Sequence, residues 1–119
     1  MKILIIDDNE THRMIHRAWC SAFEVIEADN AAEGFELVIK EAPDCVLLDF
    51  VMLGEDGFQL LHRMKKDISA CPPIIMLTCA LTEELKRNAM ALGAAACFDK
   101  ASLSGEVLLA AIRDAMGRA

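Results

Sequence analysis

Along this chain, continuous apolar runs alternate with stretches in which apolar residues recur every three or four positions. The first run, Lys2 to Asp7, contains Ile3-Leu4-Ile5-Ile6 and reads as a strand covered on both faces. From Thr11 to about Ala22, the residues Met14, Ile15, Ala18, Trp19 and Ala22 recur at helical spacing and predict a first helix. Phe23 to Ala28 alternates instead, Val25 and Glu27 against Glu24 and Ile26, which suits a half-exposed strand at a sheet edge. Asn30, followed three residues later by Glu33, predicts the cap of a second helix whose stripe is Phe35, Val38, Ile39 and Ala42. Pro43 stops it.

Asp44 to Asp49 is a second doubly covered run. After a loop, Phe58, Leu61, Met64, Lys65 and Ile68 mark a third helix, with His62, Arg63 and Lys66 on its far side. Pro72-Pro73 precedes a third buried run, Ile74 to Leu77, which ends at Thr78. Thr82 caps a fourth helix whose first turn carries Glu83 and Glu84, and that helix ends near Gly93. Ala95 to Phe98 is a short fifth strand followed by Lys100. Ser102 or Ser104 then caps a last helix reaching about Met116, with Val107, Leu108, Ala111, Ile112 and Ala115 as its apolar face.

Strict alternation of strand and helix predicts an α/β fold, a doubly wound (βα)5 parallel sheet with helices on both faces. Strands 1, 3 and 4 are apolar on both faces and belong in the centre; strands 2 and 5 belong at the edges. Right-handed crossovers then give the order 2-1-3-4-5, the flavodoxin-like arrangement, with its topological switch point between strands 1 and 3.

Composition narrows the class. A length of 119 residues with 55% hydrophobic content supports one domain, residues 1–119. The run at Ile3-Ile6 is too short for a signal peptide or a membrane span, so a cytoplasmic protein without membrane contact is expected. Nineteen acidic against 12 basic residues give a charge of -7, which repels a nucleic-acid backbone. The cysteines, Cys20, Cys45, Cys71, Cys79 and Cys97, form no C-x-x-C pair and read as reduced core thiols, a structural zinc site being the alternative. Met52, Met64, Met76 and Met90 read as core filler, and His12 and His16 as a surface pair near the site entry.

In a parallel sheet all strands deliver their C-terminal residues to one edge. Here these are Asp7 and Asp8, Asp49, Thr78 and Lys100. Taken singly, the acids read as caps, Thr78 as the closure of a turn, and Lys100 as a solvated strand end. Taken together, three carboxylates in one crevice either raise a pKa or recruit a cation, and an all-oxygen, open site suits Mg²⁺. With Thr78 and Lys100 beside them, they form equipment for phosphoryl transfer.

These stretches resemble the receiver domain of two-component response regulators from Lys2 to Met116. The resemblance lies in Ile5-Ile6-Asp7-Asp8-Asn9, in Pro43 to Asp49 with Met52 and Asp56-Gly57, in Ile75-Met76-Leu77-Thr78, and in Gly93-Ala94 leading to Lys100. It implies that Asp49 accepts a phosphoryl group from a phosphohistidine of a sensor histidine kinase or histidine phosphotransfer protein. It also implies that Asp8, Asp49 and the backbone carbonyl of Val51 bind Mg²⁺ directly and Asp7 through water, with Thr78 and Lys100 on the phosphoryl oxygens. The downstream protein target would meet the face formed by the fourth helix, fifth strand and fifth helix. Such a chain modifies only itself and turns over no separate substrate. Phosphorylation by this route, a degenerate receiver that binds partners unphosphorylated, and a receiver piece of a larger response regulator or hybrid kinase all fit the sequence.

Two departures from the receiver pattern carry structural expectations. Ala101 stands where receivers usually have proline in a cis bond; a cis bond before alanine costs roughly 3 kcal/mol more than trans, so either strain is kept or the loop is rebuilt. Cys97 stands where receivers usually have an aromatic residue, and Phe98 faces the opposite side. Two other phosphate chemistries fit less well. A haloacid-dehalogenase phosphatase needs D-x-D where Asp7-Asp8-Asn9 stands, and an FMN-binding flavodoxin needs a hydroxyl- and glycine-rich loop there.

Overall fold

The computed structural model describes residues 1–117. Five strands, β1 (Lys2–Ile6), β2 (Glu24–Ala28), β3 (Cys45–Asp49), β4 (Ile74–Thr78) and β5 (Ala96–Asp99), form one parallel sheet in the order β2-β1-β3-β4-β5. Between and after them lie α1 (Glu10–Trp19), α2 (Ala31–Glu41), α3 (Gly57–Asp67), α4 (Glu83–Ala91) and α5 (Gly105–Gly117). The expected architecture and strand order are the ones observed.

Side-chain alternation along the central strands divides the interior into two cores. Leu4, Ile6, Val46, Leu48, Ile74 and Met76 face α2, α3 and α4, meeting Val38, Leu60, Leu61, Met64 and Ala89. Ile3, Ile5, Cys45, Leu47, Ile75 and Leu77 face the other way, against Leu108, Ile112 and Ala115 of α5 and the end of α1. The side chains of the two cores are almost wholly excluded from water, so each contributes roughly 1.5–3 kcal/mol per large residue. Cys97 belongs to the first core and Phe98 packs against the second, as alternation requires.

Several predicted helix faces are rotated. In α1, Met14 and Ile15 are exposed while His16 is buried, so the two histidines are not a surface pair. The helix also ends at Trp19, and its cap Cys20 is buried. Ile39, Met90 and Val107 are exposed as well, whereas Ala31, Gly34 and Val38 fill the inner face of α2. The physical reason is shared: each helix has more apolar residues than inward positions, and the tilt of its axis on the sheet decides between neighbours. Nor are all the cysteines core thiols, because Cys79 is exposed and Cys71 is half-buried.

The ends of the strands are extended by hydrogen bonds one residue past the formal sheet. Asp7 N donates to Ala28 O at 3.0 Å, Phe50 N to Leu77 O at 2.9 Å, and Lys100 N to Thr78 O at 2.8 Å. The residues that follow the strands are therefore held by the same ladder as the strands themselves.

Candidate functional site

Asp49 is the last residue of β3 and only 6% exposed. The chain beyond it is pinned by Gly57, whose amide donates to Phe50 O at 2.8 Å. An added Cβ on Gly57 would stand 2.7 Å from Phe50 Cα and 2.9 Å from Asp49 O, so only glycine lets α3 begin this close to the strand. Asp56 caps α3 in a capping box with Gln59, and Phe50 packs edge-on against Phe58 at 4.7 Å. The loop from Val51 to Glu55 thus spans two fixed points.

Asp7 and Asp8 follow β1. Asp7 is buried; its Oδ1 accepts from Asn9 N at 2.9 Å, and its backbone carbonyl accepts from Arg13 Nη1 at 2.6 Å. Arg13 is braced in turn by Glu27 of β2, 3.2 Å from its Nε. Asp8 is exposed, and its Oδ2 accepts from Leu53 N at 3.2 Å, tying the loop after β3 to the end of β1. Carboxylate oxygens of Asp7, Asp8 and Asp49 all lie within 4.8 Å of one another, the one cluster of three metal-ligating acidic, histidine or cysteine side chains among the described residues.

Lys100 supplies the counter-charge. Its Nζ is 2.6 Å from Asp7 Oδ2 and 3.1 Å from Asp49 Oδ1, and the side chain is 6% exposed. All peptide bonds among the described residues are trans, so the loop is rebuilt around Ala101 and Lys100 nonetheless reaches the acids. The bend is held by Asp99, whose Oδ1 accepts from Ala101 N at 2.8 Å, and Ser104 rather than Ser102 caps α5.

Burial raises the Asp49 carboxyl to about 6, with the neighbouring Asp7 charge adding to the effect and Lys100 and the Val51 amide opposing it. Three carboxylates against one ammonium leave an excess of negative charge, and hard oxygen donors open to solvent on one side are the donor set that Mg²⁺ prefers. The residues therefore fit that ion. Asp8, Asn9, His12, Asp49, Val51, Cys79 and Lys100 line a cleft of about 250 Å³ over the cluster, large enough for a phosphoryl group and water.

Thr78 is placed at the same sheet edge, one residue beyond the β4 partner of Asp49, and is buried. Its hydroxyl oxygen accepts from Ala80 N at 3.3 Å, and no hydrogen bond joins it to Asp49 or Lys100. Val51 lines the cleft and is 63% exposed.

His12 was missed as a site residue. Its Nδ1 lies 3.0 Å from Lys100 Nζ and 4.0 Å from Asp7 Oδ2. A signal was available: Asn9 is the N-cap, His12 sits in the first turn, and helical side chains lean toward the N-terminus, here toward the strand ends. His16, one turn further, packs at a tilt against Trp19 with ring centroids 5.4 Å apart, and its buried Nδ1 has no hydrogen-bond partner. Burial, then the charge of Lys100, pushes its pKa down to about 4, so it is a neutral packing residue at physiological pH.

Comparison with known proteins gives a consistent result. Residues 3–113 match the response regulator receiver domain. The chain is 33% identical to the transcriptional regulatory protein LiaR of Bacillus subtilis over 111 residues, 90% of this chain and 52% of LiaR. It is 38% identical to protein PilH of Pseudomonas aeruginosa over 81 residues, 65% of this chain and 67% of PilH. Among solved structures, chemotaxis protein CheY4 of Vibrio cholerae superposes with a TM-score of 0.83 at 26% identity, covering 96% of this chain and 97% of that one. The chain spans about half the length or less of curated transcriptional regulators that it matches, among them LiaR and PhoB of Pseudomonas aeruginosa.

Proposed function

The chain belongs to the response regulator receiver domain family, the phosphoacceptor module of two-component signalling, and from that premise we propose that Asp49 is its phosphoacceptor. The observation that carries the assignment is the position of Lys100 Nζ, within 3.1 Å of both Asp7 and Asp49 in a cleft open to solvent. In the resting protein this ammonium balances two buried carboxylates. It is well placed to neutralise charge that arrives from outside.

In the reaction, an Asp49 carboxylate oxygen attacks the phosphorus of a phosphohistidine. The P–N bond breaks, its electron pair leaves on the imidazole nitrogen, and that nitrogen takes a proton from solvent; the product is an acyl phosphate on Asp49. Lys100 follows the negative charge from the carboxylate to the phosphoryl oxygens. Thr78 releases the Ala80 amide and turns its hydroxyl to another of those oxygens. Asp8, Asp49 and the Val51 carbonyl would hold Mg²⁺ directly, with Asp7 alongside through water. When bound, Mg²⁺ offsets the charge of the phosphoryl oxygens and allows the acids to ionise together.

The donor is a sensor histidine kinase or a histidine phosphotransfer protein. The receiver spans residues 1–119 as a single domain, is cytoplasmic, and turns over no substrate besides its own acyl phosphate. Among the described residues no helix is long and apolar enough to cross a membrane. The target meets the α4-β5-α5 face, where exposed Met90 on α4 and Val107 on α5 offer apolar contact surface. The net charge of -7 argues against nucleic acid as a direct partner of this domain.

Intact mass after incubation with acetyl phosphate and Mg²⁺ tests the assignment. One phosphoryl group should be added to the wild type, lost on hydroxylamine treatment and absent from Asp49→Asn. A phosphoryl group that persists in Asp49→Asn would move the acceptor elsewhere, and none on the wild type would overturn the phosphoacceptor reading.

A further inference from the structure

A ring of hydrogen bonds closes through Lys100. Asp7 Oδ1 accepts from Asn9 N at 2.9 Å, and Asn9 Oδ1 accepts from His12 N at 3.0 Å. His12 Nδ1 lies 3.0 Å from Lys100 Nζ, which donates to Asp7 Oδ2 at 2.6 Å and completes the circuit. An ammonium carries three protons and no lone pair, so in this contact Nδ1 is the acceptor. With Asp49 Oδ1 at 3.1 Å the three donors of Lys100 are matched by three acceptors.

Only one of these three acceptors is constant through the cycle described above. Asp49 becomes a mixed anhydride, its carboxylate charge replaced by charge on the phosphoryl oxygens; Asp7 belongs to the acidic cluster that would face the cation. His12 sits on a helix whose cap fixes its backbone, and its imidazole is a poorer partner for a hard cation than the carboxylates around it. A lysine stem released from its partners regains its rotamer freedom, which works against any single aim for the ammonium.

Resting on the receiver reading, we infer that His12 is a positioning residue for phosphoryl transfer: its Nδ1 holds the Lys100 ammonium over the cleft while Asp7 and Asp49 change partners. The role differs from a packing role because it depends on one acceptor atom. Glutamine can supply an oxygen at a similar reach, whereas leucine keeps the bulk and supplies nothing.

The test compares His12→Leu, His12→Gln and the wild type in saturation kinetics with acetyl phosphate and Mg²⁺. His12→Leu should lower the maximal rate of Asp49 labelling about ten-fold, the worth of one charge-assisted hydrogen bond, with the half-saturating donor concentration nearly unchanged. His12→Gln should recover to within about two-fold of the wild type. A second readout needs no metal: the ¹⁵N signal of the Lys100 ammonium, protected from exchange by three acceptors, should persist in the wild type and His12→Gln. It should broaden away in His12→Leu. Equal labelling rates in wild type and His12→Leu, or a glutamine variant no better than leucine, would overturn the inference while leaving the receiver chemistry standing. No labelling of the wild type would remove the reading on which it rests. Should His12→Leu not fold, His12→Met carries the same comparison, and absence of a protected Lys100 ammonium signal in the wild type alone counts against the proposal.

Discussion

Replacing Asp49 by asparagine in the metal-free protein should stabilise the fold at neutral pH, although it destroys the proposed acceptor. The carboxyl is raised from 3.8 to about 6, chiefly by burial. At about 1.4 kcal/mol per pKa unit, keeping it ionised costs the folded state up to about 3 kcal/mol above pH 7. That figure is already net of the attraction of Lys100 at 3.1 Å, so asparagine, standing in for the neutral acid, should gain about 1–3 kcal/mol. The sign fixes the pH window. Between about pH 4 and 6 the folded state holds a proton that the unfolded chain has released, so stability falls as pH rises through 6. The advantage of Asp49→Asn is therefore small at pH 4 and complete above pH 7. His16 has the opposite slope, gaining stability from about pH 4 to 6.5, but it is common to both proteins and cancels in the difference. Urea unfolding followed by Trp19 fluorescence in EDTA at pH 4.5 and 7.5 measures the effect. A variant less stable than the wild type at pH 7.5, or an advantage equal at both values, would refute the reasoning. Saturating Mg²⁺ should favour the wild type, because binding to the folded state alone adds stability by mass action.

Three further outcomes follow from the geometry. Gly57→Ala should lose about 2 kcal/mol or more in chemical denaturation and slow acetyl phosphate labelling, since its Cβ would meet Phe50 Cα at 2.7 Å and backbone cannot yield as a side chain can. Ala42 caps α2 with a φ of 46°, so Ala42→Gly should raise the unfolding free energy by roughly 0.5–1 kcal/mol, read by the same titration. In the native protein a thiol reagent counted by mass should modify exposed Cys79 first and Cys71 more slowly. Cys20 and Cys45, pushed up to about 11 and about 12 by burial, should resist until unfolding.

The sheet was legible because its signal is redundant: runs such as Ile3-Ile6 and Ile74-Leu77 are apolar at every position, so no choice of face is needed. The order of strands followed from the contrast between those runs and the alternating β2, and the acidic cluster followed from the order. Helix faces were less legible. Val38 and Ile39 are both apolar neighbours, and only the packing of α2 on β1 and β2 selects Val38 for the interior. In α1 the buried position fell to His16, whose ring packs at a tilt against Trp19. The Lys100 loop was unreadable for another reason: the family's proline is replaced, and only the Asp99 turn and the pull of two acids show where the ammonium goes. The hydroxyl of Thr78 depends on a single rotamer, which no spacing encodes.

The ladder bonds that run past the strand ends have a mechanical consequence. Asp7, Phe50 and Lys100 are each fastened through their amides to the neighbouring strand, so the backbone beneath the site behaves as a rigid plate across β2, β1, β3, β4 and β5. Charge added on such a plate cannot be relayed by sliding one strand past another without breaking several hydrogen bonds at once. The compliant parts are what stand on it: the Thr78 hydroxyl, the Lys100 stem, and the turn from Cys79 to Leu81 that leads into α4. If Asp49 is phosphorylated as proposed, the added charge acts on these side chains and that turn rather than on the strands.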